Sequence, residues 1–279
     1  RYGDAVWPEA AEETATTSAT VAMAETASTE TALITTTAAA ITTMGTAVMT
    51  IDEKRPASFR HELKHQINLR EDLVLSQRLR KIFDHDDSSG SDGSYQVTSL
   101  YFDDPYDRVL NEKINGTDRR EKFRLRYYGS DLGFIRLEKK FKKNGLCGKY
   151  SEVISREQAE QLIRGDFAFL QKGGLLFKEF YSKLKGQALR PRTIVRYQRE
   201  AFVFRPANVR ITVDRDIRSG LSRLDFLRTD GPFLQVGAGY SVLEIKYDEF
   251  LPDLVRKAVQ IPGRQAAACS KYALCRRFD

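Results

Sequence analysis

Cysteine is scarce in this 279-residue sequence: there are three, Cys147, Cys269 and Cys275, and no two form a tight pair. An odd, sparse set argues against a disulfide framework and for a reducing, cytoplasmic compartment. The same spacings speak against a zinc site built from thiolates. Long apolar runs are missing too. Nothing approaches the roughly 20 apolar residues that a membrane-spanning helix needs, and the nearest stretch, 32–50, is interrupted by Thr throughout. No positively charged segment followed by an apolar one marks a signal peptide. The chain starts at Arg1, from which we expect a processed or trimmed N-terminus. Positive charge is nearly absent from the first 53 residues: Arg1 stands against eight acidic residues, Asp4, Glu9, Glu12, Glu13, Glu25, Glu30, Asp52 and Glu53.

The rest of the chain is the reverse. It carries 44 basic against 30 acidic residues, and a segment that basic should attract a polyanion: nucleic acid, an anionic membrane surface or a phosphate-rich small molecule. A length of 279 residues suits one sizeable domain with an appendage, and a hydrophobic content of 41% suffices for its core. Residues 9–50 are dominated by Ala, Thr and Glu, a composition that buries little. The texture changes at Pro56. The expected organisation is therefore a low-complexity segment over 1–55, disordered or loosely helical, and a folded domain over 56–279.

Helix signals are few. Asn68 followed by Glu71 makes a capping-box pattern that predicts a helix from Leu69 to Phe83, and Ser155 with Gln158 predicts one through Ile163. Residues 167–185 read as helical with an interruption at Gly173-Gly174, and Pro252 starts a helix to about Gln260. Loops are expected at 84–94 and 143–148, and a tight turn at Asn115-Gly116. The intervening runs read as strands of a mostly antiparallel α+β domain.

Successive strand side chains point to opposite sides. In Phe123–Tyr128, Phe123, Leu125 and Tyr127 oppose Lys122, Arg124, Arg126 and Tyr128. In 135–142, Ile135, Leu137 and Phe141 oppose Arg136, Glu138, Lys140 and Lys142. Leu243, Ile245 and Tyr247 oppose Glu244 and Lys246; Val209, Ile211 and Val213 oppose Arg210, Thr212 and Asp214; Tyr197 and Arg199 share a face. One solvated sheet face would give the same alternation in any single strand. Its recurrence across five runs instead suits a closed barrel whose apolar faces pack on outer helices and whose charged faces line the lumen. So many enclosed cations make sense only in a wet lumen that receives an anion. Guanidinium forks and ammonium point charges are the groups that bind phosphate oxygens.

At these residues the sequence resembles the VTC domain, the polyphosphate polymerase branch of the triphosphate tunnel metalloenzyme (CYTH-like) superfamily. The resemblance covers about Phe59–Phe278, with its motifs in the family's order. Arg60-His61-Glu62-Leu63-Lys64 is similar to the Glu-x-Glu-x-Lys first strand, with Arg60 at the first Glu position. Ser99-Leu100-Tyr101-Phe102-Asp103 resembles the next strand. The paired-arginine strand (Phe123–Tyr128), Leu137-Glu138-Lys139-Lys140 and Lys149 come next. After them stand the Tyr-x-Arg strand (Tyr197–Phe202), Val209–Asp214, Leu243-Glu244-Ile245-Lys246 and the C-terminal Ser270-Lys271-Tyr272. Lys142 departs from the family at a position where the polymerase can hold a His, and the first 50-odd residues match nothing in it.

The resemblance implies an antiparallel β-tunnel of about eight strands with flanking helices. It also implies transfer of the terminal phosphate of ATP onto a growing inorganic polyphosphate chain. On that footing Arg124, Arg126, Lys140, Arg199 and Lys271 hold the reacting phosphates. Lys64, Lys149, Arg210 and Lys246 extend the track, and Tyr197 and Ser270 donate hydrogen bonds. Glu244, assisted by Glu138, binds Mn²⁺ or Mg²⁺, hard cations that share carboxylate and phosphate oxygens. The partners implied are ATP and polyphosphate rather than nucleic acid, with a membrane-protein partner that the sequence itself does not display. Two alternatives keep the tunnel, a triphosphatase or polyphosphate hydrolase and a non-catalytic polyphosphate binder.

Other motifs compete. His61-Glu62-Leu63-Lys64-His65 fits the zinc-protease pattern, which needs a helix; the capping pattern starts the helix only after Asn68, leaving both His on a strand's outer face. Asp84, Asp86 and Ser88 hint at a calcium loop, but the late Glu it requires is Tyr95. Asn115-Gly116-Thr117 is a glycosylation acceptor only in a secreted protein. Nucleic-acid binding remains the main non-enzymatic reading; it predicts an open basic groove with exposed aromatics rather than enclosed cations.

Overall fold

The structure is a computed structural model that describes residues 59–278, so the expectation for residues 1–55 lies outside the described residues. In chain order the elements are β1 (His61–Asn68), α1 (Leu69–Ile82), β2 (Asp84–His85), β3 (Ser94–Asp103), α2 (Arg108–Ile114), β4 (Arg120–Tyr128), β5 (Asp131–Lys143), β6 (Leu146–Ile154), α3 (Arg156–Arg164), α4 (Leu175–Gly186), β7 (Arg190–Phe204), β8 (Val209–Ser219), β9 (Leu234–Gln235), β10 (Tyr240–Tyr247), α5 (Asp253–Val259) and α6 (Lys271–Cys275). Eight strands form one antiparallel sheet in the order β1-β10-β8-β7-β3-β4-β5-β6, with the short β2 on β7 and β9 on β8. The sheet curls until its ends meet. Arg60 N–H donates to the Cys147 carbonyl, and Cys147 N–H to that of Arg60, each at 3.0 Å. Farther along β1, the Lys64 carbonyl accepts from Ala267 N–H at 2.7 Å, so the C-terminal segment covers the seam.

Three apolar clusters hold this tunnel. On its outer face, Leu100, Phe102, Phe123, Leu125 and Leu137 pack against Leu162 of α3 and Phe177 and Phe180 of α4. A second outer cluster sets Ile211, Leu243 and Ile245 against Leu75 and Leu79 of α1 and Val255 of α5. The third lies inside: Val97, Val195, Ile217 and Val242 meet Tyr272 and Cys275 of α6, which fills part of the lumen with apolar side chains.

The sequence signals for α1 and α3 hold. The Asn68 and Ser155 side chains accept from the N–H groups of Glu71 and Gln158, and both capping boxes are complete. Gly165 ends α3 with φ +86°, a left-handed position that favours glycine. The interruption at Gly173-Gly174 separates a 3₁₀ turn, Ala168–Lys172, from α4. Several expectations need correction. Asn115-Gly116 is a turn as expected, with Gly116 at φ +71°, but it follows the unforeseen helix α2 instead of joining two strands. The expected loop over 143–148 shrinks to the turn Asn144-Gly145, both with positive φ, and β6 resumes at Leu146. The expected loop over 84–94 opens with β2 paired on β7. Helix α6 was not foreseen.

Candidate functional site

The alternation along the strands decides what enters the lumen. Eleven basic residues line a cavity of about 310 Å³: Lys64 from β1, Lys113 from α2, Arg120, Lys122, Arg124 and Arg126 from β4, Lys140 and Lys142 from β5, Arg199 from β7, Lys246 from β10 and Lys271 from α6. Only Glu62, Glu121 and Glu244 answer them on the same wall. Two further carboxylates, Glu138 and Asp214, are fully buried and off that wall.

Each buried acid organises a set of cations. Glu138 accepts from Arg124 Nε at 2.8 Å and lies 2.7 Å from Arg124 Nη2; its other oxygen accepts from Lys149 Nζ at 3.1 Å, and Arg126 Nη1 stands 3.8 Å away. Asp214 takes the Arg199 fork at 2.7 and 2.8 Å and Lys271 Nζ at 2.6 Å. Bidentate Arg–carboxylate pairing fixes direction as well as charge. Closer to the cavity, Glu244 binds Lys246 at 2.7 Å and Lys64 at 3.5 Å, while Glu62 binds Lys140 at 2.5 Å and also Lys64. Lys64 thus bridges two carboxylates on neighbouring strands.

The charge states follow from this crowding. Burial raises the Asp214 carboxyl, but Arg199 and Lys271 outweigh it and bring the group down to about 2. Burial likewise works against Lys271, yet Asp214 opposite keeps it above its ordinary range. Lys122 has no such carboxylate: burial, with Lys140, Arg124 and Lys113 nearby, outweighs the opposing effect of Tyr101 and takes it down to about 8. Burial also holds Lys64 well below its usual value, with Lys140, Lys271 and Lys122 adding to the effect and Glu244 opposing it. An ammonium held below its ordinary range is one that an arriving anion would relieve.

Ten of the predicted residues come together on this wall: Lys64, Arg124, Arg126, Lys140, Tyr197, Arg199, Glu244, Lys246, Ser270 and Lys271. Tyr197 accepts from Arg126 Nη2 at 3.2 Å, and its ring carries Arg199 and Lys271 at 5.3 and 4.9 Å. Ser270 caps α6 by accepting from Ala273 N–H at 3.3 Å. Three predicted residues stand apart from the cavity wall. Glu138 reaches it only through the cations it holds. Lys149 is 46% exposed beside Glu138. Arg210 is drawn away to Asp86 at 2.9 Å and the Tyr95 hydroxyl at 2.7 Å. Sequence reasoning passed over Glu62, Tyr101, Lys122 and Asp214 as site residues. The period-2 alternation that put Lys122 on the face of Arg124 and Asp214 on that of Arg210 was the available signal.

Among the described residues no three His, Cys, Asp or Glu side chains converge as a metal-ion site. A hard divalent ion that keeps its waters and takes phosphate oxygens from the substrate needs only one or two carboxylates. Glu244 fits that role, since it lies on the cavity wall and its partners are lysine ammoniums that can be displaced. Glu138, fully buried and clamped by a guanidinium, fits it less well. The protease pattern does not survive the geometry. His61–Asn68 is a strand, so Glu62 faces the lumen while His61 stacks on Tyr247 at 5.0 Å outside. No helix among the described residues is long and apolar enough to cross a membrane.

The family model for the VTC domain matches residues 59–278, the whole of the described tunnel. No curated protein matches. Among solved structures the chain is similar to the Hippeastrum protein HpAC1, assigned as an adenylyl cyclase and described as having a dominant triphosphatase activity; identity is 13%, coverage 78% of this chain and 95% of that one, and the TM-score 0.48. It is also similar to a Bacillus halodurans protein assigned as an adenylate cyclase, with 11% identity, 72% and 87% coverage and a TM-score of 0.40.

Proposed function

The chain belongs to the VTC domain family, and on that premise we propose that it is a polyphosphate polymerase which transfers the terminal phosphate of ATP to an inorganic polyphosphate chain inside the tunnel. The observation that carries this reading is the cavity wall, where eleven cations meet three carboxylates. Such an excess is costly when empty and is neutralised by a chain of phosphates.

Phosphoryl transfer asks the protein chiefly for positioning and for neutralisation of charge. In the proposed reaction a terminal oxygen of the polyphosphate attacks the γ-phosphorus of ATP. The bond from that phosphorus to the β–γ bridging oxygen breaks, and ADP leaves. The attacking oxygen is already anionic near neutral pH, so no protein base is required. Arg124 and Arg126 approach from β4, Arg199 from β7, Lys140 from β5 and Lys271 from α6, so the transferring group meets cations on several sides. Glu138 and Asp214 lock three of these cations in place before substrate arrives, which is the preorganisation that makes fixed charge effective. Lys64 and Lys246 continue the array along β1 and β10, and Tyr197 and Ser270 supply neutral donors. Glu244 would hold Mn²⁺ or Mg²⁺ together with phosphate oxygens, and the ion would add Lewis-acid neutralisation of the phosphates.

The test is incubation of the purified protein with ATP and Mn²⁺, with products sized on a gel and free phosphate assayed in parallel. A ladder of long chains, lost in Lys271→Ala and Glu244→Ala, is expected. Free phosphate without chains would make the protein a tunnel triphosphatase, and tight polyphosphate binding without turnover would make it a binder.

A further inference from the structure

Tyr101 lies on β3, lines the cavity and is 4% exposed. Its hydroxyl accepts from Arg124 Nη1 at 2.8 Å. Among the described residues no acceptor takes the hydroxyl's own proton. A buried O–H with an unused donor is costly unless a ligand completes it. Its surroundings fix the ligand's charge. Lys122 Nζ lies 5.2 Å and Arg124 Cζ 5.7 Å from the ring centroid, and Arg126 follows on the same strand face. The element opposite, α6, presents no acid to Tyr101. It presents Tyr272, tilted on the ring at 5.0 Å, whose own hydroxyl donates to Asp103 at 2.6 Å. The ring therefore sits between the paired-arginine strand and the helix that carries Ser270 and Lys271.

We propose that Tyr101 is a further substrate-binding residue, whose hydroxyl accepts from Arg124 and donates to a phosphate oxygen held by Arg124 and Lys122. Each member of the arginine pair then has its tyrosine: Arg126 leans on Tyr197, and Arg124 on Tyr101. This inference rests on the phosphate-tunnel reading above but not on the direction of the reaction. The electrostatics agree with it. Burial raises the phenol, but Arg124, Lys122 and Arg126 outweigh burial and bring it down to about 7. The group is thus a strong donor below that pH and loses its donor above it, and a bound phosphate would return the proton.

The experiment is binding of tripolyphosphate to the whole protein between pH 6 and 9, for the wild type and Tyr101→Phe. The variant keeps the ring and its packing. Its affinity at pH 6 should fall by about tenfold, the loss expected for one charge-assisted hydrogen bond, and the difference from wild type should vanish by pH 9. A Tyr101→Phe protein that binds as wild type at every pH, with wild type binding well, overturns this inference alone. Wild type that binds no oligophosphate overturns the tunnel reading and this inference together. Should Tyr101→Phe fail to fold, absorbance of wild type at 295 nm decides. Saturating tripolyphosphate at pH 8 should remove tyrosinate signal, and an unchanged signal would refute the assignment.

Discussion

Replacing Asp214 with Asn should expose how the tunnel manages its own charge. Asp214 is fully buried and holds two cations, Arg199 through a bidentate pair and Lys271 at 2.6 Å. The amide keeps the shape and removes the charge, so two enclosed cations lose their neutraliser. Breaking a buried pair on one side costs roughly 3–5 kcal/mol. For a domain of this size each kcal/mol moves Tm by about 2–4 °C, so a drop of roughly 6–20 °C is expected by calorimetry at pH 7. The pH dependence provides a second reading. The Asp214 carboxyl is lowered to about 2, so its contribution is present above the ordinary carboxylate range and is lost as pH falls from about 4 toward 2. The variant should lack that part of the acid limb. Tripolyphosphate should also recover more stability in the variant than it adds to wild type, because the anion supplies the missing charge. A Tm within about 2 °C of wild type at pH 7, less than 1 kcal/mol on the same scale, would refute the argument that these cations depend on Asp214.

Other predictions concern the same wall. Glu138→Gln should release Arg124, lowering kcat more than it raises KM, because Arg124 is still charged but no longer aimed; unchanged kcat would remove Glu138 from the machinery. Lys122 is lowered from 10.5 to about 8, so oligophosphate affinity should fall as pH rises through 8, and Lys122→Met should lose that step. Between about pH 8 and 10.5 the unfolded chain holds the Lys122 proton that the folded protein has lost. This group therefore makes the ligand-free protein more stable as pH rises there. Denaturant titrations of wild type and Lys122→Met across that window would read the difference, and parallel curves would contradict it.

Much of this was legible in the residues because strands impose a period of two. Arg124 and Arg126 had to share a face, and Lys140 and Glu138 theirs, so the charged lumen followed once several strands repeated the pattern. Capping boxes announced α1 and α3 because their donors and acceptors are local in sequence. Helices α2 and α6 escaped because neither rests on such a pattern: the first N–H groups of α2 are taken by Asp103 and Asp104, which lie ahead of its N-cap residue, and α6 is five residues long. The roles of Asp214 and Glu138 as clamps depend on contacts between β7, β8 and α6 and among β4, β5 and β6, which no single run of sequence displays. Arg210 shows the converse. Its alternation pointed it inward, but Asp86 and Tyr95, more than 100 residues earlier in the chain, hold it away from the cavity.

The central claim is that the tunnel joins phosphate to phosphate. Its most direct test supplies ATP labelled in the γ-phosphate together with Mn²⁺ and an unlabelled polyphosphate primer, then sizes the labelled products. The account predicts label in chains longer than the primer, with ADP formed in equal amount. Label recovered entirely as inorganic phosphate, with primer length unchanged or reduced, would contradict it.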